Sequence, residues 1–117
     1  MTIQRFHISK RLSEVTVYNG VAYLAGQIPA NTPNQPIYEQ TKDVLAEIDR
    51  LLAEVNSDKT RILRAEVVLA DMNDYAEMNR AWDEWVAENN SPARACIEAK
   101  LANESWKVEI VITAATN

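Results

Sequence analysis

The chain has 117 residues, the length of one domain. Its 47% hydrophobic and 25% charged residues belong to a folded globular chain and exclude a disordered one. Its net charge of −5 at pH 7 disfavours a nucleic-acid partner, since that affinity comes largely from basic groups neutralising phosphates. One cysteine, Cys96, and one histidine, His7, rule out an internal disulfide, CxxC sites and clustered-histidine metal sites. No apolar run approaches the ~18 residues of a membrane span, and the N-terminal MTIQRFHISKRL lacks a signal-peptide apolar stretch. The expectation is a cytoplasmic protein with no membrane partner.

Punctuation is sparse, with glycine only at 20 and 26 and proline at 29, 33, 36 and 92. Strands are expected near 3–8, 14–18 and 21–26. Asn19-Gly20 between the second and third predicts a type I′ hairpin, because both central residues of that turn need positive φ. The run 29–36, with its three prolines, reads as a loop. From about Ile37 to Val55, Thr41, Val44, Leu45, Ile48, Leu51, Leu52 and Val55 recur at 3/4 spacing, opposite Lys42, Asp43, Glu47, Asp49, Arg50 and Glu54. That pattern predicts an amphipathic helix.

A strand follows at 62–69. A second helix is expected over about 73–88, capped by Asp71 or Asn73, with an apolar stripe of Tyr75, Met78, Trp82, Trp85 and Val86. Asn89-Asn90-Ser91-Pro92 breaks it. The next strand, 94–99, alternates Arg94, Cys96 and Glu98 with Ala95, Ile97 and Ala99. The last, 107–115, alternates Val108, Ile110 and Ile112 with Lys107, Glu109 and Val111. The order βββαβαββ predicts an α+β fold: a single mixed sheet with two helices on one face.

Several side chains can carry chemistry. Arg94 offers a planar, permanently charged fork suited to a small carboxylate, although a solvated surface arginine is the ordinary alternative. Glu109 sits among β-branched residues, where a carboxylate is either paired across strands or available as a general base. Asn79 lies on or beside the apolar stripe of the second helix, where a side-chain amide needs partners. Cys96 has nothing in the sequence to lower its pKa and reads as a small buried hydrophobe. His7 reads as an ordinary polar residue, and Trp82 and Trp85 as core or subunit interface.

Four stretches together resemble the Rid family of reactive-intermediate deaminases, also called the YjgF family. They are Ala25-Gly26-Gln27-Ile28-Pro29, Met78-Asn79, Ser91-Pro92-Ala93-Arg94-Ala95-Cys96-Ile97-Glu98-Ala99, and Lys107-Val108-Glu109-Ile110. The resemblance implies a chorismate-mutase-like fold assembled as a homotrimer with three intersubunit clefts. It implies hydrolysis of enamines or imines of the 2-aminoacrylate type to a 2-keto acid and ammonia, with no metal or cofactor. Arg94 would hold the substrate carboxylate and Glu109, on an adjoining strand, would orient the attacking water. Gly26, Asn79 and Cys96 would line the pocket. The chain departs from the family's Gly-Pro-Tyr-like stretch, reading Lys10-Arg11-Leu12-Ser13-Glu14-Val15 there, and from its proline-containing turn before the last strand, reading Asn103-Glu104-Ser105-Trp106. A non-enzymatic trimeric module binding small carboxylates such as 2-keto acids stands as the alternative. A ribonuclease reading is disfavoured by the charge and by the lack of any Lys/Arg cluster.

Overall fold

Asn19 and Gly20 both adopt positive φ, 54° and 79°, as the tight hairpin turn requires. They join strands β2 (Ser13–Tyr18) and β3 (Val21–Leu24), and β1 (Gln4–Ile8) pairs antiparallel with β2. The computed structural model describes residues 2–116. Beyond the hairpin it adds helix α1 (Ile37–Glu54), β4 (Ile62–Leu69), helix α2 (Tyr75–Trp85), β5 (Ala93–Glu98) and β6 (Val108–Ala115), with short 3-10 turns at Lys59–Arg61 and Met72–Asp74. The expected βββαβαββ order is the observed one.

The six strands form one mixed sheet in the order β1-β2-β3-β6-β4-β5. Every neighbouring pair is antiparallel except β4 and β5. A parallel pair needs a crossover connection, and α2 supplies it. One expectation fails here: β5 and β6 are not adjoining strands, because β4 lies between them.

Alternation gives each strand one inward row. Val15, Val17, Ala22, Leu24, Ala65, Val67, Leu69, Val108, Ile110, Ile112 and Ala114 are buried on the side that carries the helices. Against them α1 lays Val44, Leu45, Ile48, Leu51 and Leu52, and α2 lays Met78 and Trp82. A fully buried Leu or Ile side chain contributes about 1.5–3 kcal/mol, so the α1 stripe is a principal anchor of the fold. Among the described residues no helix covers the opposite face, and Tyr18, Tyr23 and Ile97 project from it half-exposed.

The second helix is shorter than its pattern suggests. Asp71 caps the 3-10 turn by accepting from the Asn73 N–H at 2.9 Å. Val86 stops the helix in an extended conformation, with ψ 139°. Trp85 and Val86 therefore pack only partly against the core. β3 also ends two residues early, at Leu24. The chain then rejoins the sheet at one point, where Gln27 and Ile110 exchange backbone hydrogen bonds of 2.8 and 3.0 Å. No helix among the described residues is long and apolar enough to cross a membrane.

Gln40 is fully buried on α1, and both ends of its amide are used. Nε2 donates to the Ser105 carbonyl and Oε1 accepts from the Lys107 N–H, each at 2.8 Å. This clasp fixes the entry into β6. Gln40→Leu leaves the Lys107 N–H without its acceptor, while the Ser105 carbonyl keeps the Asn34 N–H at 3.0 Å, and is expected to lower the unfolding free energy by about 1–3 kcal/mol. Urea unfolding should show a lower midpoint at an unchanged slope, and an unchanged midpoint would contradict the assignment.

Candidate active site

Pro92 closes the loop before β5, and strand alternation then turns Arg94 and Cys96 toward the helices. Arg94 pairs with Ala65 and Cys96 with Val67, both buried on that face. Because β5 is the sheet's edge strand, neither residue is sealed and both are half-buried.

The guanidinium of Arg94 lies along α2. Its Nη1 donates to Asn79 Oδ1 at 2.9 Å and its Nη2 to Tyr75 Oη at 3.3 Å. The Trp82 ring centre stands 5.1 Å from Cζ and the Tyr75 ring centre 5.9 Å, within range for a cation–π contribution. Tyr75, Asn79 and Trp82 follow one another at helical spacing, so one stripe of α2 builds the whole cradle. Two of the five guanidinium N–H donors are used in this way, and the others remain for a ligand. Met72, Tyr75, Arg94 and Cys96 line an open hollow of about 480 Å³. Asn79, expected as a pocket residue, holds the arginine in place. Burial pushes the Cys96 thiol upward, against a smaller opposing pull from Arg94. At neutral pH it is a space-filling thiol, not a thiolate nucleophile.

Glu109 faces the other way. Its row is Glu109, Val68 and Ile97, on the face without helices. There it meets Gly26, brought alongside by the Gln27–Ile110 bridge. A Cβ placed on Gly26 would fall 2.8 Å from Glu109 Cδ and closer still to Oε2. Glycine is what lets the carboxylate lie flat against the chain.

The five expected site residues thus form two groups: Arg94, Asn79 and Cys96 on the helix side of the edge strand, and Gly26 with Glu109 on the open face. Within one chain, Arg94 and Glu109 stand on opposite faces of the sheet. His7 stands apart from both groups, its Nε2 2.6 Å from Glu54 Oε2 on α1. Among the described residues no three His, Cys, Asp or Glu side chains gather as a metal-ligating group. Sequence reasoning placed Tyr75 and Trp82 in the apolar stripe and missed Met72. The usable signal was the four-residue step from Tyr75 to Asn79, which puts both on one helix face.

Gly26→Ala tests the second group. The clash falls on the mobile end of a side chain, so the fold should survive with a thermal midpoint near wild type. A crystal structure of the variant should show the Glu109 carboxylate swung away from residue 26. An unmoved carboxylate would contradict the close approach described here.

The model of the family described as endoribonuclease L-PSP matches residues 2–116. A RutC family protein of Haemophilus ducreyi is 62% identical over 115 residues, 98% of this chain and 97% of the relative. The RutC family protein YoaB of Escherichia coli is 44% identical, covering 98% and 99%. A crystal structure of a YjgF-family protein from Neisseria meningitidis is 51% identical with a TM-score of 0.96, covering 100% of this chain and 97% of that one. With matches of this extent in both sequence and fold, the chain belongs to the YjgF/Rid family, the one whose model carries the description endoribonuclease L-PSP.

Proposed function

We propose that two copies of this chain together build a site that hydrolyses reactive 2-imino acids, and their 2-aminoacrylate-type enamine tautomers, to 2-keto acids and ammonia. One copy supplies Arg94, braced by Asn79, as the carboxylate anchor, with Cys96 filling the pocket wall. Its neighbour supplies Glu109 beside Gly26. The observation that carries this reading is the braced guanidinium, which keeps free donors at the mouth of an open hollow. A charged, planar fork fixed in advance is the group that recognises a carboxylate.

The chemistry asks little more of the protein than position and one base. With its carboxylate on Arg94, the substrate presents its imine carbon to the facing copy. Water adds to that carbon of the protonated imine as one of its protons passes to Glu109, giving a neutral carbinolamine. Glu109 returns that proton to the amine nitrogen, ammonia leaves, and the hydroxyl proton passes back to the Glu109 carboxylate and on to solvent as the C=O of the keto acid forms. General-base help of this kind is worth roughly 10²–10⁴ in rate. A ring of three copies, as the family resemblance implies, would repeat the same contact around a closed axis. The half-exposed Tyr18, Tyr23 and Ile97 on the helix-free face offer apolar surface for such packing.

The binding-module reading has one observation of its own: the arginine group is complete within a single chain, while the carboxylate lies on the far face. Turnover separates the two readings. With 2-iminobutyrate generated in the cuvette, the wild-type protein should speed ammonia release over buffer. Arg94→Ala should raise KM, and Glu109→Gln should lower kcat by about a hundredfold or more. A wild-type protein that binds 2-ketobutyrate yet leaves imine hydrolysis at the buffer rate would overturn the catalytic proposal in favour of the binding module.

A further inference from the structure

We infer that Tyr75 is a second carboxylate-binding donor, acting beside Arg94 on the same substrate carboxylate; this rests on the carboxylate reading above. A phenol has one O–H donor and an oxygen that accepts. At Tyr75 the accepting role is filled by Arg94 Nη2, at 3.3 Å. Among the described residues the hydroxyl donates to no protein acceptor, and the residue is 42% exposed at the lip of the hollow. A carboxylate that takes the remaining hydrogen of Nη2 with one oxygen can offer its other oxygen to that unused O–H.

The position of Tyr75 supports this role. It is the first residue of α2, one turn before Asn79, and it leaves the core stripe that its spacing assigns it to. Met78, Ala81 and Trp82 hold the helix without it. The ring thus contributes little to burial, and its hydroxyl is set at the anchor. The pair Arg94–Tyr75 would select a full carboxylate over an amide or ester, because both groups only donate toward the ligand once Tyr75 has accepted from Arg94.

Calorimetric titration with 2-ketobutyrate tests this on the wild-type protein, Tyr75→Phe, Arg94→Ala, and a protein carrying 3-fluorotyrosine at position 75, at slightly acidic pH. Tyr75→Phe should weaken binding roughly ten- to a hundredfold with an unchanged thermal midpoint. The fluorinated phenol is a better donor and a poorer acceptor, so direct donation predicts tighter binding, whereas mere bracing of Arg94 predicts weaker binding. Unchanged affinity in Tyr75→Phe, or weaker binding by the fluorinated protein, overturns the assignment while a loss in Arg94→Ala leaves the carboxylate reading standing. No binding by the wild-type protein, or wild-type affinity in Arg94→Ala, overturns that reading and this inference with it.

Discussion

A β-strand sends successive side chains to opposite faces, and the chemistry of this protein is organised by that alternation. On β5 the even positions turn toward the helices, and Arg94 goes with them. On β6 the same side belongs to Val108, Ile110 and Ile112, each buried, which leaves Glu109 no choice but the other face. A one-residue slip of β6 would expose its whole apolar row. The face that Glu109 takes, away from Arg94, is therefore enforced by the core itself. It follows that a site using both must be assembled from more than one copy.

Each half is prepared by different means. The arginine side depends on a helix: Tyr75, Asn79 and Trp82 rise along one stripe and fix a side chain that would otherwise sample many rotamers. The carboxylate side depends on backbone: the Gln27–Ile110 bridge brings a residue without a side chain under Glu109. Fixing such groups before the substrate arrives removes part of the entropic cost of binding. The word endoribonuclease in the family's description finds no electrostatic support in this chain, whose charge of −5 opposes a polyphosphate ligand.

Local signals were legible in the sequence. Asn19-Gly20 announced its hairpin, the 3/4 spacing of Val44 through Leu52 announced α1, and the alternation on β5 and β6 placed Arg94 and Glu109 on named faces of their own strands. What the residues did not disclose was how those strands are ordered, because pairing is set by contacts distant in sequence. Nothing within 93–115 says that β4 is inserted between β5 and β6, or that β4 and β5 run parallel. Tyr75 was hidden for a related reason. Helical spacing assigned it to the core stripe, but the α1 and sheet surfaces that form the core end before its turn of α2.

The central claim is that Arg94 of one copy serves the same substrate as Glu109 of another. Chains bearing Arg94→Ala and chains bearing Glu109→Ala can be unfolded, mixed in equal amounts and refolded together. A shared cleft predicts that about a quarter of the sites in random closed assemblies recover both groups, so imine hydrolysis at low substrate should rise well above that of either variant alone. Activity no greater than that of the two variants refolded separately would contradict the account.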